Sequence, residues 1–593
     1  MCWLLLLAWV AFLFKLGSTG LVDETEPLFA EAARGMAVTG DWITPYFNGE
    51  TRFDKPPLIY WLMAGGYGVF GVNEWAVRLP SANSAIALMV FCFFSLQKFT
   101  QSENPASIER KKWLSGWIGA AIAAFNLETL LWARQGVSDM LLSGCLGCAL
   151  LCFFWGYAQA GESQKPRGGL RNNLLSFPNQ WYLGFYVLSG LAVLTKGPVG
   201  IVLPSLIILA FLFYVGKFGE VLEEMKILWG LLIFALITIP WYVLVILANG
   251  RAYIDSFFGY HNVERFTSVV NGHDAPWYFY ILVVLIGFFP WSIYLPLAMT
   301  RLGFWRRSFW LNKPRTAQLS LFAFFWFATI FIFFSIAVTK LPSYVLPLMP
   351  AAALLVAELW GEELTNTPRK NQGLLISGIA HVFFLVILAI AFILSPSFIG
   401  SDPAIENLPA LVKNSGLPLR GTIIWLLTAL AISWLLGQRK RWQWLILPNL
   451  VGFFIFLVCL VYPTMFFIDT ARQLPLRELS LIIPQVQVSG EELWMIGFNK
   501  PSVVFYSQRP VNFFKVRNFL DDKSADLAYL KNLVTTQPFP DTLLILSRAK
   551  DMTKLGVSDE DYQILEQKGL YQLMRIPKAR LLNRILNQLM VNG

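Results

Sequence analysis

Charge is what this sequence has least of. Asp, Glu, Lys and Arg supply 14% of its 593 residues, histidine occurs three times and cysteine six times, while AVILMFWYC residues supply 56%. Soluble domains carry about 25% charged residues and disordered chains few apolar ones, so a single soluble globule and a disordered chain are both excluded. Cys2, Cys92, Cys145, Cys148, Cys152 and Cys459 all lie inside apolar runs. They read as small buried hydrophobes, not as a disulfide framework, and the C-x-x-C spacing of Cys145 and Cys148 has no second ligand pair to make a zinc site. A net charge of +10 would point to nucleic acid in a soluble protein. Here much of the Lys and Arg falls in short loops between apolar runs, where it sets membrane topology, so nucleic acid is not an expected partner.

What is abundant is apolar sequence in lengths that cross a bilayer. Thirteen windows qualify, at roughly 2–17, 82–100, 114–132, 140–158, 181–195, 197–215, 227–248, 277–299, 318–338, 341–358, 373–395, 421–437 and 443–466. The first lacks a basic n-region and an A-x-A-like cleavage site, which predicts a retained span and not a signal peptide. The expected fold class is thus a polytopic α-helical membrane protein of about 13 transmembrane helices over residues 1–466, with a small soluble α/β domain over 467–593. With a cytoplasmic N-terminus, the inner loops hold eighteen Lys and Arg, among them Arg110, Lys111, Lys112 and Arg439, Lys440, Arg441, against seven in the short outer loops. The positive-inside rule then predicts a multi-pass protein of the inner (plasma) membrane whose C-terminal domain lies outside the cytoplasm. In that domain, Leu493 to Ile496, Ser502 to Tyr506 and Leu543 to Leu546 read as strands, and Leu476 to Ile483 and Ala525 to Val534 as helices. Lys578 to Met590 reads as an amphipathic helix, packed on its own domain or, alternatively, lying on the membrane surface.

Ionisable groups are nearly missing from span centres, His381 being the main exception, which argues against a proton-coupled transporter. They gather in the outer loops instead. The first outer loop, within residues 21–80, carries Asp23, Glu24, Glu26, Arg52, Asp54 and Lys55, and its Thr25-Glu26-Pro27 start, Gly40 stop and intervening apolar stripe predict an interfacial helix. Further polar clusters on that side are Arg134 to Asp139, Thr195-Lys196-Gly197, Arg251 to Pro276 with His261, Glu264, Arg265 and His273, and Lys340 to Tyr344. Singly each has a bland reading: Arg134 and Asp139 as a local ion pair, Asp41 as a turn residue, Lys196 and Lys340 as interfacial anchors. Together they predict one outer cavity that binds a phosphate-bearing lipid and does chemistry at its headgroup.

Asp23-Glu24-Thr25-Glu26-Pro27, Glu31-Ala32-Ala33-Arg34, Gly40-Asp41-Trp42 and Phe53-Asp54-Lys55-Pro56-Pro57 together resemble the first loop of the lipid A 4-amino-4-deoxy-L-arabinose transferases and the related protein O-mannosyltransferases. Leu194 to Pro198, His273 to Tyr278, Lys340 to Tyr344 and Phe498 to Ser502 continue the likeness in order. The resemblance implies a GT-C glycosyltransferase that takes a sugar from a polyprenyl-phosphate carrier. It implies Asp23 and Asp139, with Glu24 beside Asp23, as the acidic residues at the reaction centre, and Lys55, Arg265 and Tyr344, joined by Lys196 and Lys340, as holding the carrier phosphate. It also implies a divalent metal, zinc or magnesium, between Asp54 and His261. Two positions depart from the family pattern, Asp54 standing where Glu is usual and Glu26 where Arg is common. The expected partners are a polyprenyl-phosphate-linked sugar, a lipid or protein acceptor and the bilayer itself. The expected reaction is inverting sugar transfer to a lipid A-like acceptor, the alternatives being protein O-mannosylation and a flippase without transferase activity.

Overall fold

The computed structural model describes residues 2–101, 105–162, 177–257, 259, 275–365, 371–521, 524–536 and 540–592. All thirteen apolar windows fall on helices. Among the described residues, eight helices are long and apolar enough to cross a membrane, or ten if each of two bent pairs is one span. The difference from thirteen has a geometric reason: Cys2–Leu13, Gln180–Lys196 and Val199–Val215 are apolar but short. Even the longer two rise only about 25 Å at 1.5 Å per residue, against a hydrocarbon core of about 30 Å. The bends are 61° between Pro105–Ala124 and Leu127–Ala133, and 116° between Phe279–Gly287 and Ser292–Leu302.

Burial ranks the helices. Ser138–Gly161 and Pro342–Thr365 are each 89% buried over their apolar windows and form the middle of the bundle, whereas Ile227–Asn249, at 17%, lines its rim. His381 is buried between the rings of Tyr294 and Phe289 at 5.2 and 6.5 Å.

The first loop folds as expected at its start. Thr25–Thr39 is a helix that buries Phe29, Ala32, Ala33 and Met36 and ends at Gly40, whose φ of +75° an L side chain would resist. Asp41 Oδ1 then accepts from the backbone N–H groups of Ile43 and Thr44 at 2.9 and 3.0 Å, so it is a turn residue. A two-residue hairpin follows, β1 (Tyr46–Phe47) and β2 (Glu50–Thr51).

The last membrane helix does not stop near 466. It continues as one 46-residue helical run, Arg441–Val486, through two π segments at Leu457–Val461 and Asp469–Gln473, so the 466/467 boundary falls inside a helix. Beyond it lie β3 (Leu493–Ile496), β4 (Asn512–Phe514), β5 (Thr542–Arg548), β6 (Gln563–Lys568) and β7 (Tyr571–Pro577), in the order β4-β3-β5-β7-β6. The pairs β3/β4 and β3/β5 are parallel, and β5/β7 and β6/β7 antiparallel. Both faces of this sheet are covered, which is why Leu493–Ile496 and the middle of β5, Leu543 to Leu546, are continuous apolar runs. Trp494, Ile545 and Met574 pack on Ala525–Thr536 and Lys578–Asn592, whose Leu581 and Ile585 are buried within the domain; Met495, Leu544 and Leu573 pack on Leu474–Val486. Ser502 to Tyr506 is a correction: it is a helix, Ser502–Ser507, not a strand. The β-branched pair Val503-Val504 favours extended chain, but Pro501 at the N-cap presets the helical φ and no sheet edge is offered to the segment.

Three clamps fix this domain on the first loop. Asn48 Nδ2 donates to Val511 O at 2.7 Å and Asn48 Oδ1 accepts from Val511 N at 2.9 Å; Arg477 and Tyr506 both donate to Glu74 Oε1, at 3.2 and 2.9 Å; Ser502 donates to Asp23.

Candidate functional site: a charged cavity beneath the first loop

A cavity of about 780 Å³ opens between the first loop and the two central helices. Asp54 and Lys55 reach it from the loop just after β2, Asp139 from the first turn of Ser138–Glu162, Lys196 from the last residue of Gln180–Lys196, and Tyr344 from the 3₁₀ turn Pro342–Leu348. Four clusters far apart in sequence thus meet, and their charges interlock. Lys196 Nζ lies 2.6 Å from Asp139 Oδ1 and 5.6 Å from the centroid of the Tyr344 ring. Lys55 Nζ lies 2.7 Å from Asp54 Oδ1, and Arg52 Nη2 2.8 Å from Asp54 Oδ2. The local reading of Arg134 with Asp139 is overturned: Arg134 donates to the carbonyls of Ala11 and Phe14 at the end of the first helix, and Asp139 takes its cation from another span.

The remaining expected residues divide three ways. Arg265 and His261 lie outside the described residues. Lys340 is not on the cavity wall; its Nζ donates to Ala337 O at 2.7 Å and closes the preceding helix. Asp23 and Glu24 face the C-terminal domain, the cavity wall beginning at Thr25. Asp23 accepts from Ser502 N at 3.0 Å and Ser502 Oγ at 2.5 Å, and Glu24 pairs with Lys500 at 3.3 Å. Burial pushes the Asp23 carboxyl up to about 6, against the lowering effects of the Ser502 hydrogen bonds and the Lys500 charge.

Two residues carry more of the site than their sequence positions indicated. Arg52 lines the cavity, with its guanidinium 5.4 Å from the Phe29 ring centroid; the signal was its place two residues before Asp54. Arg78, 2% exposed, joins the whole entry loop. It donates to both oxygens of Glu26 and to the carbonyls of Leu16, Thr19 and Gly20, while Glu26 Oε1 also accepts from Gly136 N at 2.8 Å. The pair thereby ties the first loop to the turn that carries Asp139. A cation in the second turn of an apolar span was the signal, since such a charge needs a buried partner. Gly136 fits there because a Cβ would sit 2.3 Å from a Val77 methyl.

Both oxygens of Asp54 face cations, Lys55 and Arg52, and His261, the other residue expected at a metal, lies outside the described residues. Among the described residues no group of three or more His, Cys, Asp or Glu side chains is placed for a metal.

An arrangement of Lys55, Lys196 and Arg52 against Asp54 and Asp139 can exchange its internal ion pairs for a bound phosphate and leave a carboxylate beside the reacting carbon. The likenesses to other proteins agree. Residues 4–249 match the family model for dolichyl-phosphate-mannose-protein mannosyltransferase, and residues 486–591 that for the C-terminal domain of cyanobacterial RgtA-type glycosyltransferases. An undecaprenyl phosphate-alpha-4-amino-4-deoxy-L-arabinose arabinosyl transferase of Proteus mirabilis is 27% identical over 438 residues, covering 73% of this chain and 71% of that one. Its namesake from Shewanella sediminis is 28% identical over 390 residues, 64% of this chain and 63% of that one. The crystal structure of ArnT from Cupriavidus metallidurans bound to undecaprenyl phosphate superposes with a TM-score of 0.72 at 20% identity, over 97% of each chain. The chain is a membrane glycosyltransferase of the GT-C class. Over most of its length it is similar to the undecaprenyl-phosphate arabinosyl transferases, and it shares the fold of ArnT.

Proposed function

We propose that this glycosyltransferase moves a sugar from an undecaprenyl-phosphate carrier to a lipid A-like acceptor, at a site on the extracytoplasmic side of the inner membrane. The observation that carries this reading is the meeting of Lys55, Lys196 and Tyr344 with Asp139 in one cavity walled by the first loop. The bond between the anomeric carbon and the carrier's phosphate oxygen breaks with its electrons going to the phosphate. Lys55 and Lys196 compensate the charge that grows there. An acceptor oxygen forms the new bond from the opposite face, with inversion. Where the acceptor is a hydroxyl, Asp139 takes its proton; where it is a phosphate, Asp139 stabilises positive charge on the sugar. The names of the relatives support the undecaprenyl-phosphate carrier and an arabinose-type sugar, and nothing among the described residues of the site favours a protein acceptor over a lipid one.

The purified chain, given undecaprenyl-phosphate-linked 4-amino-4-deoxy-L-arabinose and lipid A, should yield lipid A heavier by one pentosamine residue. In the same assay Lys55→Ala removes one charge-assisted contact, worth on the order of 1.5–3 kcal/mol, so the carrier's affinity should fall by roughly 10- to 150-fold. Unchanged carrier binding and turnover in this variant would remove Lys55 from the phosphate site, and transfer only to a peptide hydroxyl would replace the lipid acceptor.

A further inference from the structure

The end of the bundle opposite the catalytic cavity carries a second polar recess that the transfer reaction does not use. Helix Glu74–Phe99 spans the distance between them. Glu74 bonds to Arg477 and Tyr506 beside the first loop, and Lys98 in the last turn lies about 36 Å along the axis, at 1.5 Å per residue. The recess, about 440 Å³, is bounded by Gln97 and Lys98, by Glu109 and Lys112 at the start of Ile108–Ala124, and by Trp155 from the central helix. Its charge balance is positive. Lys112 meets Glu109 at 3.1 Å, but the Glu109 side chain is 74% exposed, so that pair is screened by water and weak. Lys98 makes no ion pair among the described residues.

One helical turn toward the middle of the bilayer the surface changes character. Phe94, on the same helix face as Gln97 and Lys98, is exposed and belongs to the recess. Beside it the Trp155 ring lies tilted against Trp181 at 4.6 Å and edge-on to Phe99 at 5.0 Å, with Phe91 6.1 Å from Trp181, and the Trp155 indole N–H is held by Ser95 Oγ at 2.9 Å. Amines and amides thus sit at the end of a span, with a fixed aromatic wall directly below them. That vertical order is the order of a phospholipid: phosphate at the level of the lysines, acyl chains along the rings.

We propose that this recess binds the phosphate of an anionic phospholipid of the leaflet opposite the catalytic site, with its chains lying on Phe94 and the Phe91–Trp155–Trp181 wall. A basic recess between spans at this level is suited to a lipid headgroup, whereas the exposed Phe94 and the half-buried aromatic wall beside it have nothing to offer a free phosphate. The site is independent of the transfer reaction and stands whether or not the acceptor is a lipid.

Native mass spectrometry of the full chain in neutral detergent tests it, with titrations of dioleoylphosphatidylglycerol, dioleoylphosphatidylcholine and inorganic phosphate. Phosphatidylglycerol should bind more tightly than phosphatidylcholine, and Lys98→Gln with Lys112→Gln should weaken phosphatidylglycerol by about tenfold or more while leaving phosphatidylcholine unchanged. Lys98→Arg with Lys112→Arg keeps the charge and should restore binding, which separates loss of the site from loss of fold. Equal binding of the two lipids, or wild-type phosphatidylglycerol affinity in the glutamine variant, overturns the proposal. Inorganic phosphate that binds the wild type as tightly as the lipid does, and is lost in the glutamine variant, overturns it in favour of a free-anion site.

Discussion

Asp139 and Asp23 look equivalent in sequence, each an acid at the outer end of a span, yet their surroundings separate them. Asp139 is in the cavity with Lys196 at 2.6 Å. Asp23 spends both carboxylate oxygens on Ser502. We therefore expect Asp139→Asn to lower turnover by about 10²-fold or more, the scale of a general base or an electrostatic stabiliser, with the unfolding midpoint little changed. Asp23→Asn should register in stability. With its folded pKa near 6 and an unfolded value of 3.8, Asp23 holds a proton in the native state that the unfolded chain has already released between those pH values. Its contribution to stability is fully present below the unfolded value and is lost as pH rises through about 6. Thermal unfolding of the wild type and Asp23→Asn at pH 4.5 and pH 7 reads this directly: the wild type should lose more on going to pH 7 than the variant. A 10²-fold loss of turnover in Asp23→Asn at an unchanged midpoint would return Asp23 to the reaction centre.

At the scale of elements, the turn between Leu127–Ala133 and Ser138–Glu162 matters most, because it aims Asp139. Arg134 at its start reaches the carbonyls of Ala11 and Phe14, and Val137 O accepts from Ser81 Oγ at 3.2 Å. The turn's backbone is also fixed by Glu26 through Gly136 N, and Glu26 is fixed by Arg78. Both side chains are almost fully buried, at 1% and 2% exposure, so removal of one partner strands a charge. Arg78→Met or Glu26→Met alone should each destabilise by about 3–5 kcal/mol, whereas the double variant should lose less than the sum, since two apolar groups leave no orphan charge. A double-mutant cycle by chemical denaturation in detergent measures the coupling, and additive losses would show that the pair does not act as a unit. The helix Ser502–Ser507 shows a related point: Val503 and Val504 carry strand propensity, Pro501 starts the helix, and its first residue, Ser502, is held by Asp23, 479 residues away.

The sheet domain is joined to the bundle by one continuous helix, by contacts to the first loop and by Arg548, which donates to Pro403 O at 3.1 Å. The run Arg441–Val486 leaves the bundle and becomes a layer of the C-terminal sheet, while Asn48, Glu74 and Asp23 hold that sheet against the first loop. Cavity and sheet domain must then lie on the same side of the membrane, and the distribution of loop cations selects which side. A reporter active only outside the cytoplasm should be active when fused after Gly593 and silent after Lys370. The reverse pattern would put the cavity in the cytoplasm, where the proposed extracytoplasmic reaction does not take place.

Apolar length and loop charge determined the class of this protein: all thirteen windows are helical, and the first-loop helix ends at Gly40 as its sequence dictates. Lys55, Lys196, Asp139 and Tyr344 were singled out because they lie in polar clusters gathered in the outer loops, within motifs that resemble the arabinose transferases, and the structure brings all four to one cavity. Other features depended on contacts between residues distant in sequence. That Asp139 pairs with Lys196 and not with Arg134, that Arg78 is a hub, and that Asp23 faces Ser502 are decided by which helix ends meet. Helix periodicity fixes which face of a span is buried but not which other span it is buried against, and a charge takes its partner from the second of these.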